Sequence, residues 1–419
     1  MMGRAAILAA AGLSLYVLLS SGQAIRPVRP AIPDDFFGMH IIDGNTPSAS
    51  FGGLRTSGVS WPRVQPSRGV FDWSRLDGQV QAASANGWKV LYTTNGVPPW
   101  AAANGNTCQQ GSCTSGVARA EDWTAFVTAL VQRYRGRIEA YELWNEPDQN
   151  FTGSMQEFVA MAGHFRDVVR SEDRAALVVS PAALKVDWHD TFWDAGGTRD
   201  VDAVAFHGYL PLPVPEDLQA AKTAPLEAIL QHQGMASKPI WDSESSWGEP
   251  GKLTDPAGQA AYIARAYLLH WSFGLSRFYW YSWDDTSADG TAGWGALLDP
   301  KSHTPTPAAI AYQQVRAWMA GATMSTPCSG STDATWTCGL ARPGYQAMVV
   351  WNTATAKMYT PQTPGYRPPT LWNRTTTRPT APRPLFKQYR DLAGNVRPVN
   401  GTVPIGAQPI LLETAGSAQ

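Results

Sequence analysis

Charge is scarce in this chain. Only 16% of its 419 residues are Asp, Glu, Lys or Arg, and 33 basic residues nearly balance 34 acidic ones, for a formal net charge of −1. A nucleic-acid partner needs a basic face, and nothing in this composition suggests one. Long apolar runs are also scarce. The exception is Ala5 to Ser20, a run of 16 residues, which is short for a membrane-spanning helix. Arg4 precedes it and Gly22-Gln23-Ala24 offers small residues after it, so it reads as a secretory signal. An uncleaved N-terminal anchor is the alternative. A secreted or periplasmic protein is expected, with no other membrane association. His-Glu-x-x-His, a phosphate loop and a dinucleotide fingerprint are all missing. No metal and no cofactor are therefore expected, and no internal repeat is apparent.

Cysteine is limited to four residues. Cys108 and Cys113 are five apart in a Gly/Asn/Gln/Ser-rich loop, and Cys328 and Cys338 are ten apart around another polar loop. Two local disulfides are the simplest pairing for an exported chain, although four cysteines allow three connectivities. Zinc is disfavoured, because neither pair has close ligand spacing and no His lies near them.

Tryptophan, by contrast, is plentiful: 18 residues. Its flat apolar face with a single donor suits the C–H faces of carbohydrates, while any one Trp is more simply a core residue.

Apolar runs recur along the chain as candidate strands: Phe36–Ile41, Gly53–Thr56, Lys89–Thr93, Ile138–Trp144, Leu177–Ser180, Ala203–His207, Pro239–Ser243 and Arg277–Trp283. Between them lie helical patterns over Ser74–Asn86 (with Ser as cap), Glu121–Tyr134, Met155–Val169, Pro225–Gln233, Gly258–Phe273 and Pro307–Met319. Eight strand-and-connection units predict a (β/α)8 TIM barrel, an α/β fold. After about residue 321, Pro, Thr, Gly and Asn rise and helix periodicity is lost. Ala347–Asn352, Leu385–Asp391 and Ile410–Glu413 read as strands, and Thr360–Pro384 as a long irregular loop. The expected organisation is a signal at 1–24, the barrel over 25–320 and a small β-sandwich over 321–419, the last covering the barrel flank.

Functional side chains of such a barrel project from the C-terminal strand ends. The fourth candidate strand runs into Trp144-Asn145-Glu146-Pro147, and the seventh into Asp242-Ser243-Glu244-Ser245. Two carboxylates facing each other across a cleft are the machinery of glycoside hydrolysis, one protonating the leaving oxygen and the other attacking the anomeric carbon or activating water. Asp242 is a rival to Glu244, since it shares a strand face with it, and Glu249 follows in the loop. Glu142 shares a side with Glu146 and is expected to pack lower, paired with a polar group.

These segments resemble the retaining barrel glycosidases of clan A. Gly53-Leu54-Arg55-Thr56, Ser60-Trp61, Arg63-Val64, Gly69-Val70-Phe71-Asp72-Trp73 and the Trp-Asn-Glu-Pro segment look most similar to glycoside hydrolase family 39, in its bacterial exopolysaccharide-hydrolase branch. The resemblance covers roughly residues 36–300 and includes a C-terminal β-domain ending in Pro-Ile-Leu-Leu-Glu. It implies Glu146 as acid/base and Glu244 as nucleophile. It implies that Asn145 binds the 2-hydroxyl of the reacting sugar and that Arg55 holds the nucleophile ionised. His207 and Tyr209 match the family's His-x-Tyr pattern, with Tyr209 donating toward the nucleophile, and Trp280 or Trp283 would form the sugar platform.

Chemistry adds its own demands. The acid needs a raised pKa, and a retaining pair stands about 5–5.5 Å apart. Structural readings stand beside these roles. Arg55 would also serve as an ion-pair partner, His207 and His40 as orienting groups, Asp284 and Asp285 as turn caps, and Asp72 and Trp73 as organisers of a helix start. The expected function is a secreted retaining glycoside hydrolase cleaving within a polysaccharide by double displacement. An exo-acting β-xylosidase-like enzyme, an inactive carbohydrate-binding barrel and a transglycosylase are the alternatives.

Overall fold

The computed structural model describes residues 30–45, 47–103, 116–361 and 386–414. The signal segment, Cys108, Cys113 and nearly all of the Pro-rich stretch lie outside the described residues. Eight parallel strands form one sheet: β1 (Phe37–His40), β2 (Gly53–Arg55), β3 (Lys89–Thr93), β4 (Ala140–Glu142), β5 (Leu177–Val179), β6 (Val204–His207), β7 (Ile240–Ser245) and β8 (Arg277–Trp280). Their order is β5-β4-β3-β2-β1-β8-β7-β6. The ring closes through parallel bridges Val179↔Ala203 and Ala183↔Phe206. Each strand falls inside or within two residues of its expected run, because a parallel strand buried on both faces leaves a nearly continuous apolar signature.

Local chemistry explains the helix starts. Met155–Glu172 opens with a capping box in which Ser154 and Glu157 satisfy each other's backbone amides. Pro256–Ser272 starts on Asp255, which accepts from Ala257 and Gly258, and Pro307–Met319 starts on Thr306; both place Pro in the first turn. Ser74, expected to be the cap, is instead the first residue of its helix, with Trp73 at the cap position. Asp72 accepts its amide and hydroxyl at 3.0 and 2.6 Å, so Asp72 does organise that helix start. A helix over Val186–Asp194 and a π-helical turn over Gln219–Thr223 had no clear sequence pattern.

The barrel centre is filled by Leu91, Ala140, Val179, Ala182, Ala203, Ala205, Trp241 and Tyr279. Small residues on β4 to β6 leave room for the two large rings on β7 and β8. Gly38 is obligatory here, since a Cβ would lie 2.3 Å from the Tyr279 ring. Arg277 closes the lower end, its guanidinium 4.3 Å above the Trp241 ring and bonded to Glu139 and Asp35.

The remaining strands are β9 (Thr323–Gly330), β10 (Thr335–Arg342), β11 (Tyr345–Asn352), β12 (Lys357–Tyr359), β13 (Gln388–Arg390), β14 (Val396–Pro398), β15 (Val403–Ile405) and β16 (Ile410–Glu413). They make a six-stranded antiparallel sheet, β14-β13-β16-β11-β10-β9, and a two-stranded one, β12-β15. On β11, Ala347, Val349 and Trp351 face the barrel's apolar cluster, while Met348 and Val350 join a second cluster with Val403, Ile405 and Leu412. That two-sided burial is the period of two expected of a strand between two layers. Cys328 and Cys338 form a disulfide across the β9–β10 hairpin. Arg342 donates to the carbonyls of Ala317, Trp318 and Ala320, capping the last barrel helix. β9 and β10 were missed because their Ser, Thr and Gly residues interrupt any apolar alternation; on β9 only Met324 and Cys328 are buried. Most of the tryptophan surplus also goes into the core. Trp61, Trp123, Trp144, Trp193, Trp280, Trp283 and Trp351 are among the largest fully buried side chains.

Candidate active site

The chain leaving β4 is clamped from both sides. Asn145 N–H donates to Thr94 O at 3.1 Å and Glu146 N–H to Ala182 O at 2.8 Å. Glu146 itself adopts φ 45° and ψ 58°, the left-handed region that non-glycine residues rarely occupy. Such a conformation costs on the order of 1–3 kcal/mol and persists only where the surroundings impose it. Here Pro147 starts a short helical turn at once, and Asp148 anchors that turn by accepting from Leu184 and Lys185 N–H.

Glu244 stands across the mouth. The register between β6 and β7 shifts after Phe206↔Asp242, so that His207 pairs with Glu244. This bulge separates the two acidic side chains of β7. Asp242 is fully buried and accepts from Gly208 N, Glu244 N, Ser245 Oγ and His270 Nε2 at 3.1, 3.2, 2.5 and 2.8 Å. Its carboxylate is thus spent on the wall below Glu244 and does not reach the cleft. Gly208 must be glycine, because a Cβ would lie 2.1 Å from Asp242 Oδ2. Glu249 is exposed, 3.8 Å from Lys252.

Arg55 ties the mouth together. Its Nη1 donates to Glu244 Oε2 at 2.6 Å, and its Nη2 to Asn145 Oδ1 at 2.6 Å and Glu142 Oε2 at 2.8 Å. Its Nε faces Thr93 Oγ1 at 2.9 Å and Glu142 Oε2 at 3.2 Å. Burial disfavours the charged guanidinium, but Glu142 and Glu244 outweigh it and raise the pKa above its ordinary value. Glu142 is buried and paired, as expected.

On the other side, His207 is fully buried and its Nδ1 lies 2.8 Å from Glu146 Oε1. Its Nε2 is 4.0 Å from Glu244 Oε2 and has no hydrogen-bond partner. Tyr209 OH donates to Glu244 Oε1 at 3.2 Å. A carboxylate oxygen of Glu146, one of Glu244 and a ring nitrogen of His207 all lie within 4.8 Å of one another. Three such donors have the composition of a cation site. Arg55 already occupies Glu244, however, and Glu146 already holds His207 Nδ1, so a metal would have to displace a buried positive charge.

The expected raised pKa of Glu146 is not what this environment produces. Burial pushes the carboxyl up, but the hydrogen bond from His207 and the charges of His207, Arg55 and Lys222 outweigh it and leave it lowered. His207 is correspondingly raised: burial pushes it down, while the charge of Glu244 and the bond to Glu146 prevail. The pair's shared proton is therefore favoured on the imidazole. His40 behaves oppositely. Burial, with the neighbouring Arg55, lowers its pKa well below the ordinary value, and it bonds Ser243 O at 3.0 Å and Ser57 Oγ at 3.2 Å. It is a neutral, orienting histidine.

A cleft of about 770 Å³ opens beside Glu244, with His40, Arg55, Asn145, Glu244 and Tyr281 among its lining residues. Neither Trp280 nor Trp283 reaches it. Both are fully buried, Trp280 donating to Gly295 O at 2.8 Å and packing on Trp247 and Tyr262. The aromatic at the cleft is Tyr281. Strand alternation could have found it, since Tyr279 fills the barrel and position 281 shares its side. Thr93 was also missed; it pairs in register with Glu142. Asp284 accepts the amides of Ile42 and Asn45, and Asp285 that of Trp294, so both build turns.

No family model matches the chain. Solved structures of clan A glycosidases do resemble it. A family 39 glycoside hydrolase from the gut symbiont Bacteroides cellulosilyticus superposes with a TM-score of 0.71 at 18% identity, covering 91% of this chain and 82% of that one. A family 39 β-xylosidase from Caulobacter crescentus gives 0.63 at 16% identity, covering 92% and 97%. A family 30 xylanase from Clostridium acetobutylicum gives 0.58 at 14% identity, covering 92% and 96%. At these identities the likeness is one of fold: a TIM barrel with an attached β-sandwich.

The Glu146–His207 pair makes stability pH-dependent in two directions. The raised His207 contributes fully below its ordinary pKa of 6.5, and that contribution is lost as pH rises through the higher folded value. The lowered Glu146 contributes above its ordinary 4.5, and that is lost as pH falls through the lower folded value. The difference in urea stability between wild type and Glu146→Gln is therefore expected to be greatest between about pH 4.5 and 6.5 and to shrink on both sides. A difference that stays constant from pH 4 to 9 would contradict the pairing.

Proposed function

We propose that this protein is a secreted or periplasmic retaining glycoside hydrolase that cleaves within polysaccharide chains. One observation carries the reading: carboxylate oxygens of Glu146 and Glu244 lie within 4.8 Å of each other at the barrel mouth. That spacing fits the roughly 5–5.5 Å of a double-displacement pair and falls short of the ~6.5–9.5 Å of an inverting pair.

Glu244 is the nucleophile. Arg55 and Tyr209 each engage one of its oxygens, which fixes the carboxylate for attack on the anomeric carbon. Glu146 protonates the departing glycosidic oxygen as the C–O bond breaks and the glycosyl–Glu244 ester forms. A sugar seated against Glu146 strips away its remaining water, which disfavours the carboxylate and draws the shared proton from His207 Nδ1 onto Oε1. Once Glu244 is esterified its charge is gone, and with it the strongest influence raising His207. Glu146 then takes a proton from water, which attacks the anomeric carbon and releases Glu244. Asn145 Oδ1 is held by Arg55, so its amide NH2 is free to donate to a sugar 2-hydroxyl.

The β-xylosidase and xylanase among the similar structures put β-xylosides first among substrates to test. The disulfide supports an oxidising compartment, and among the described residues no helix is long and apolar enough to cross a membrane.

Glu146→Gln is expected to slow cleavage of glycosides with poor leaving groups by about a hundredfold or more. Dinitrophenyl glycosides, which need no proton, should be spared in the first step. Equal losses on both would remove Glu146 from the acid role. On a long polymer the initial products are expected to be oligosaccharides of mixed length; release of monosaccharide alone would make the enzyme exo-acting.

A further inference from the structure

Trp294 is the only aromatic among the large apolar side chains that stand exposed in the described residues, with 38% of its surface accessible. It is held rather than loose. Its N–H donates to Asp285 Oδ2 at 2.8 Å, and Gly293 N–H to Asp285 O at 2.7 Å. The flanking glycines keep the turn tight, and Gly295 also takes a positive φ of 57°. A Cβ on Gly293 would fall 2.2 Å from Asp285 Oδ2, and one on Gly295 2.1 Å from Tyr281 O. Gly295 O in turn accepts the buried Trp280 indole at 2.8 Å. The loop thus fixes the backbone on each side of an indole that it leaves in solvent.

The indole lies on a particular side of the reacting centre. Its ring meets Tyr209 edge-on, with centroids 5.4 Å apart and planes at 83°, and Tyr209 donates to Glu244. The cleft that contains Asn145, Arg55 and Tyr281 is bounded by Glu244 but by neither Tyr209 nor Trp294. Arg55 engages Oε2 of Glu244 and Tyr209 engages Oε1, so Tyr209 and the Trp294 ring packed on it meet Glu244 at the oxygen turned away from Arg55. With the reacting sugar held beside Arg55 and Asn145, Trp294 is left for the sugar that departs.

We propose that Trp294 is the stacking platform for the sugar unit on the leaving-group side of the scissile bond. An exposed indole on a fixed backbone, braced at one edge by Tyr209, presents its apolar face to a sugar's C–H face with little conformational entropy to lose. The proposal rests on the glycosidase reading above. A platform there makes cleavage depend on a leaving-group sugar, whereas an indole that only braces Tyr209 would affect all substrates alike.

Glycosyl fluorides separate the two, because fluoride leaves no sugar on that side. The β-fluorides of xylose, glucose, mannose and galactose serve as probes, each beside its β-1,4-linked tetrasaccharide. For the sugar that the wild type cleaves, Trp294→Ala is expected to lower kcat/KM on the tetrasaccharide about tenfold more than on the fluoride. Trp294→Tyr should restore most of that selective loss. Equal losses on both substrates, or no selective recovery with Tyr, would overturn the platform. Failure of the glycosidase reading looks different: a wild type that cleaves none of the fluorides, which removes this proposal with it.

Discussion

A guanidinium with almost no water around it sets the terms for this barrel mouth. Arg55 is 3% exposed and sits among Thr93, Glu142, Asn145 and Glu244. A buried charge on its own costs several kcal/mol, so its partners are a condition of the fold and not an ornament of the site. Glu142, buried beneath it, supplies the balancing charge, and Thr93 both receives from Arg55 and donates to Glu142 at 2.7 Å. With that demand met from below, the outer edge of the guanidinium is left to orient Asn145 and Glu244. One side chain on β2 thereby aligns groups from β3, β4 and β7.

The opposite wall works through a neutral-to-charged imidazole instead of a permanent cation. His207 bonds Glu146 and stands 4.0 Å from Glu244, so each carboxylate influences the other through it. Asp242 supports this arrangement from behind by holding the amides of both Gly208 and Glu244. Glu146 meanwhile occupies a left-handed backbone position imposed by the bonds to Ala182 and by Pro147. A strained, clamped acid on one side and a multiply bonded carboxylate on the other are the marks of a preorganised site, in which geometry is set before any substrate arrives.

Much of this was legible in the sequence. The eight strands announced themselves because burial on both faces writes a continuous apolar run, and Glu146 and Glu244 stood out as carboxylates directly after two of those runs. Glu142 could be assigned to the interior by parity alone. Other features depend on contacts that no local pattern encodes. Trp280 and Trp283 looked like sugar platforms, but both are fully buried, and Tyr281 takes the cleft. Asp242 rivalled Glu244 until the bulge in β7 and His270, 28 residues away on the packed helix, drew it toward the helical layer. The direction of the Glu146 pKa was misjudged for the same reason: burial alone raises it, and the arrival of His207 from β6, with the charges of Arg55 and Lys222, reverses the sign. The β9–β10 hairpin is held by pairing and a disulfide more than by apolar alternation, so composition alone concealed it.

The central claim is that Glu244 forms a covalent bond to the sugar while Glu146 does not. A 2-deoxy-2-fluoro glycosyl fluoride of the cleaved sugar slows release of such an intermediate, and mass spectrometry of the digested protein locates it. One fluorosugar on the peptide carrying Glu244, absent from Glu244→Gln, is the predicted result. A sugar attached at Asp242 or Glu146, or turnover of the substrate with inversion and no label at all, would contradict the account.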